Sequence, residues 1–244
     1  MALAKDFFCL QLFSRNLVAL INLFRRSLRF ALLFALTGCA AWDASPVWQS
    51  LRQIVPPPAG AEKTDFPPPY SYLRMEISGR VIFLASDTPD VGKPGITETW
   101  YSAGREVLRM RDGRLVAAVG MREEWRAVVI TPLPSWDALV AADAPVRWVR
   151  KRDLMPGYRF GVEDALVLQK TAPPARSALK GLAAEKLVWF EERFEQAEAR
   201  EALPVARYAV QRGAEGARVV YGEQCVSRGE CYAWQRWPVQ GAAQ

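Results

Sequence analysis

The chain has 244 residues, half of them hydrophobic, with 32 lysines and arginines, 26 acidic residues and no histidine. Without imidazole it lacks the usual general base near neutral pH, the commonest metal ligand and every Ser-His or Cys-His nucleophile pairing, so an enzyme is disfavoured and neither metal nor cofactor is expected. The formal charge of +6 sits mostly in the first 38 residues, where Lys5, Arg15, Arg25, Arg26 and Arg29 meet only Asp6; the +2 that remains argues against a nucleic-acid partner.

In chain order, the first strong signal is Leu36-Thr37-Gly38-Cys39 behind a basic and then apolar leader. Arg25, Arg26 and Arg29 hold one end at the cytoplasmic face, and Phe30 to Leu36 is too short to span a bilayer. Small Thr37 and Gly38 let a peptidase reach the backbone, and the Cys39 thiol is the nucleophile that acyl transfer needs. The pattern is that of a bacterial lipobox. It predicts residues 1–38 as a removable signal peptide and Cys39 as the lipidated first residue of the mature chain; the alternatives are an ordinary signal cleaved near Ala40 or Ala41, or an uncleaved anchor. Each buried CH₂ contributes about 0.8 kcal/mol, so several acyl chains hold a soluble domain on a membrane. Residues 1–24 are longer and more apolar than a signal's basic region requires, an atypical extension that points to a misplaced start codon.

Residues 39–69 read as the lipidated cysteine, a short helix and a tether. Ser45 caps the helix, Pro46 takes its first position, and Val47, Trp48, Leu51, Ile54 and Val55 recur at helical spacing until Pro56-Pro57-Pro58 ends it. Residues 70–244 read as a single all-β domain, a mostly antiparallel β-sandwich or open barrel with one or two short helices. A first hairpin turns at Ser78-Gly79. A second turns at Asp112-Gly113, opposing Met110 to Leu115 and Leu108 to Ala117, with Arg105, Arg109, Arg111 and Arg114 on the outer face. Further strands are expected at 125–131, 146–151, 165–170, 205–211, 217–222 and 232–237, and a short helix from Ser135. The segment 187–195 is assigned to a strand on its aromatic content. Cys9 leaves with the leader and Cys39 takes the lipid, so Cys225 and Cys231 remain to form a disulfide across a turn-like segment in an oxidising compartment.

With the lipobox, the segment from Trp100-Tyr101-Ser102 to Gly120-Met121, and the closing run from Val220-Tyr221-Gly222 to Trp234-Gln235-Arg236-Trp237, the chain resembles the YjbF/GfcB lipoproteins of exopolysaccharide and group 4 capsule systems. The resemblance implies an antiparallel periplasmic domain lipid-anchored to the outer membrane, working beside a large outer-membrane β-barrel and other secretion proteins. It supplies no catalytic residues; only Cys39 transfers as a site. Ala40 and Ala41 lack the aspartate that commonly retains lipoproteins in the inner membrane, which favours the outer membrane.

Two surfaces are candidates for a ligand or partner. The outer arginines Arg105, Arg109, Arg111 and Arg114 suit an acidic polysaccharide or anionic headgroups, and equally suit an ordinary solvated strand face. The run Arg147, Arg150, Lys151, Arg152 carries the same two readings. Trp100, Tyr101, Trp234 and Trp237 are candidates for a sugar-stacking platform, with core packing as the alternative. Glu191 and Glu192 do not make a glycosidase pair, since adjacent strand carboxylates face opposite ways. The leading expectation is therefore a non-catalytic role in polysaccharide production or export by docking on secretion partners. The rivals are a polysaccharide-binding module and a half-barrel carrier of a lipid-like ligand.

Overall fold

A computed structural model describes residues 66–86, 90–92, 95–196 and 202–239. The signal peptide, Cys39, the helix expected from Ser45 and the tether as far as Asp65 lie outside the described residues. The strands are β1 (Ser71–Ile77), β2 (Arg80–Ser86), β3 (Asp90–Gly92), β4 (Gly95–Ser102), β5 (Val107–Arg111), β6 (Arg114–Val119) and β7 (Glu124–Ile130). After the helix α1 (Trp136–Ala141) follow β8 (Val146–Met155), β9 (Arg159–Thr171), β10 (Val188–Phe194), β11 (Ala206–Gly213), β12 (Gly216–Ser227) and β13 (Glu230–Trp237).

Two turn dipeptides set the first registers. Ser78 and Gly79 have φ of 49° and 75°, and Asp112 and Gly113 have 48° and 76°, so each pair adopts the left-handed conformation that a two-residue hairpin loop requires. Ile77 therefore opposes Arg80, and Arg111 opposes Arg114. At Gly113 a side chain would also collide with Val219, 2.6 Å from an added Cβ, so this hairpin tip lies directly against β12.

Every strand pairing is antiparallel, in the order β2-β1-β13-β12-β11-β10-β9-β8-β7-β6-β5-β4-β3. β2 also pairs with β4 through Leu84↔Ser102 and Ala85↔Tyr101, which closes twelve strands into a ring, and β3 continues along the same edge of β4. Among the described residues the fold is all-β with one short α-helix, as the sequence implies, but the barrel is closed, not open. Closure removes the unpaired edges that an open sheet would expose.

Alternation along the strands fills the ring. Leu73, Met75, Leu84, Trp100, Leu108, Trp125, Trp148, Leu166, Phe190, Tyr208 and Trp234 belong to one continuous core. Side chains of this core occupy the ring interior among the described residues. At one end α1 acts as a plug. Ser135 caps it by accepting from the Ala138 N–H, and Trp136 packs against Phe190 and Tyr208 at ring separations of 5.3 and 5.6 Å. Six residues cannot hold a helix alone, so its place is fixed by these contacts. On the outer face of β10–β13, Trp189, Ala209, Val220 and Tyr221 make a second core beneath Ala178, Leu179 and Leu182 of the preceding loop.

Two sequence expectations are corrected here. Leu108 opposes Ala118, not Ala117, because a bulge gives β6 an additional residue between Leu115 and Ala117. Arg114, expected on the solvated face, is only 5% exposed. The expected strand at 187–195 is present as β10, and Cys225 and Cys231 are disulfide-bonded across the β12–β13 hairpin.

Candidate functional site at the barrel rim

The barrel wall of β8, β9 and β10 carries charge into the core. On β8 the period of two sends Trp148, Arg150, Arg152 and Leu154 inward and leaves Arg147 and Lys151 outside. Register places Asp164 opposite Arg150. The Asp164 carboxylate takes the side edge of Arg152, with Nε to Oδ2 at 2.6 Å and Nη2 to Oδ1 at 2.7 Å, and also accepts from Arg150 Nε at 2.5 Å. Arg150 Nη1 then donates to Glu192 at 3.3 Å. The chain of contacts continues through the Tyr208 hydroxyl and the Gln224 amide to the backbone N–H of Leu115 on the opposite wall. Trp125 lies beneath both guanidinium groups, at 4.7 and 5.0 Å.

Two carboxylates thus neutralise two arginines, offsetting the desolvation cost of bringing all four inside. Burial still pushes the Glu192 carboxyl up, against the pull of Arg150 and Arg114, and pushes the Tyr208 hydroxyl well above its ordinary value. Half of the basic run read from the sequence is therefore internal structure. Arg147 and Lys151 keep to the surface, where they pair with Glu195 and Glu163.

The proposed aromatic platform is not assembled. Trp100 and Trp234 are buried in the core, while Tyr101 is partly exposed on the other side of β4 and Trp237 stands half-buried beside Phe83. The four outer arginines also separate. Arg105 sits in the β4–β5 turn and Arg109 is exposed in mid-strand opposite Ala117, whereas Arg111 and Arg114 come together at the hairpin tip.

That tip and α1 enclose a cleft of about 330 Å³ lined by Arg111, Asp112, Arg114, Thr131, Ser135, Trp136 and Asp137 and by the apolar Ile130, Pro132, Leu133 and Pro134. Trp136 holds the two sides together: its Nε1 donates to the Asp112 carbonyl at 2.7 Å, and the Arg114 guanidinium lies 3.9 Å from its ring. Burial lowers the Arg114 pKa, while Tyr208, Glu192 and Asp112 act in the opposite sense. Nε and Nη2 of Arg114 have no hydrogen-bond partner. A second, larger cleft of about 790 Å³ adjoins the first and shares Asp112, Trp136 and Ala217 with it. It runs past Arg212, Arg218 and Arg236. Arg236 is committed to Glu98 through two bonds of 2.7 and 2.5 Å. Trp136 and Asp137 were missed as site residues. Their signal was Ser135 opening a helix beside a Pro-Leu-Pro segment, which marks an end of the domain but not what faces it.

The chain matches no protein-family profile and no curated protein. Among solved structures it is similar to the crystal structure of the hypothetical lipoprotein YmcC from Escherichia coli K12, with a TM-score of 0.51 and 14% identity, covering 81% of this chain and 91% of that one. At that identity the likeness concerns the fold alone.

Proposed function

We propose that this protein is a lipid-anchored accessory factor of surface-polysaccharide production or export, acting by binding and docking and not by catalysis. The observation that carries the reading is the lipobox ending at Cys39, placed ahead of a domain whose fold is similar to that of a protein described as a lipoprotein. Acyl chains on Cys39 would fix the barrel to the periplasmic face of the outer membrane, and the rim and outer wall would supply recognition of secretion partners, including a large outer-membrane β-barrel. The resemblance to the YjbF/GfcB lipoproteins supports the polysaccharide setting.

Metabolic labelling with palmitate tests the anchor. The wild-type chain should incorporate label and fractionate with outer membranes, and Cys39→Ala should do neither; an unlabelled, freely soluble wild-type chain would contradict the reading. Deleting the gene should lower surface polysaccharide while sugar-nucleotide pools persist, and unchanged polymer would remove the polysaccharide role.

A further inference from the structure

We propose that the rim cleft binds a carboxylate-bearing saccharide unit, with Arg111 and Arg114 holding the carboxylate and the segment leading into α1 forming the facing wall. The choice of a saccharide rests on the accessory role above; the anion site rests on the geometry.

Arg114 is 95% buried, yet its Nε and Nη2 meet no acceptor. On Arg152 the same edge lies against Asp164, with Nη2 hydrogen-bonded to Oδ1 at 2.7 Å and Nε in ion-pair contact with Oδ2 at 2.6 Å, so a carboxylate fits that edge. Trp136 covers the face of the Arg114 guanidinium, so its in-plane N–H groups are what a ligand engages. Those atoms lie beneath the surface, so a carboxylate engages them only if the hairpin tip and the 131–135 segment part.

Arg111 lies directly across the strand pair from Arg114, is half-buried, and forms no ion pair with a described residue. The cleft's own acids form no ion pair with the two arginines, and each is held by a backbone N–H, while Asp112 acts on Arg114 only through space. Asp112 Oδ1 accepts from the Ile96 N–H at 3.0 Å, and Asp137 Oδ1 accepts from the Ala217 N–H at 2.8 Å. Their remaining lone pairs suit sugar hydroxyls and repel a doubly charged phosphate more than a singly charged carboxylate. Pro132 and Leu133 present an apolar surface to the C–H side of a pyranose, in a volume at the lower end of the range for small-ligand sites.

The test uses the full lipidated chain in detergent, titrated calorimetrically with tri-galacturonate, maltotriose and inorganic phosphate. Tri-galacturonate should bind, more weakly at high salt, with maltotriose at least about tenfold weaker. Arg111→Gln should weaken the uronate about tenfold and Arg114→Met further, each retaining a cooperative unfolding transition. If Arg114→Met does not fold, Arg111→Gln, at the end of its strand, decides. Equal binding of maltotriose, or an unchanged uronate affinity in Arg111→Gln, overturns the proposal, and phosphate binding as tightly as the uronate overturns its saccharide part. A failure here leaves palmitate labelling and polymer levels unaffected, so it is distinguishable from failure of the accessory role.

Discussion

Two places in this barrel bring arginines out of water, and they solve the problem differently. In the β8–β10 wall, Arg150 and Arg152 meet Asp164 and Glu192, and the neighbouring hydroxyl and amide extend the network to the opposite wall. At the β5–β6 tip, Arg114 is nearly as buried and is stacked on Trp136, but its side edge has no carboxylate. Charge that is matched inside the chain holds strands together. Charge that is shielded and left unmatched is organised toward something outside the chain, at a cost in stability.

The largest expected effect falls on the matched site. Asp164→Ala removes the carboxylate that both guanidinium groups share in the core and should destabilise the domain by about 3–5 kcal/mol, read from urea unfolding. A loss below about 1 kcal/mol would mean that the ladder is not what holds this wall. Removing the Cys225–Cys231 bridge by paired substitution to alanine should cost about 2 kcal/mol, since the loop it closes is short, and should leave the rim unaffected.

A pH series sharpens the contrast. Because burial raises the folded pKa of Glu192, its carboxyl takes up a proton more readily folded than unfolded. Its contribution favours folding fully below the unfolded value near 4.3 and declines as pH rises from there through the raised folded value. Relative to wild type, Glu192→Gln should therefore gain stability across that window, and a difference that is flat with pH would contradict the assignment. The smallest effect is expected at the rim, where Arg111→Gln should change stability by no more than about 0.5 kcal/mol.

Much of the fold was legible because strand periodicity and turn chemistry are local. Ser78-Gly79 and Asp112-Gly113 announce their hairpins, and Ser135 announces its helix. Ring closure was not legible, since it rests on two residue pairs between β2 and β4 and on the strand β4, whose Thr-Glu-Thr-Trp run is too polar to stand out. The sites divide in the same way. Period two already separates Trp100 from Tyr101 and Trp234 from Trp237, so the aromatic platform was decidable from spacing alone. By contrast, nothing near Arg150 and Arg152 in the sequence reveals that Asp164 and Glu192 on two later strands will face them, and a basic run consequently looked like surface. Arg114 misled for a related reason: its burial depends on Trp136, which arrives from beyond the next strand.

The comparison between the two arginine sites is tested most directly by measuring unfolding free energy and tri-galacturonate affinity on the same three proteins, wild type, Asp164→Asn and Arg111→Gln. The account predicts a crossed result, with Asp164→Asn losing stability while its folded fraction keeps wild-type affinity, and Arg111→Gln keeping stability while losing affinity. Parallel changes in both quantities, or affinity indifferent to Arg111, would contradict the division between charge built into the fold and charge held for a ligand.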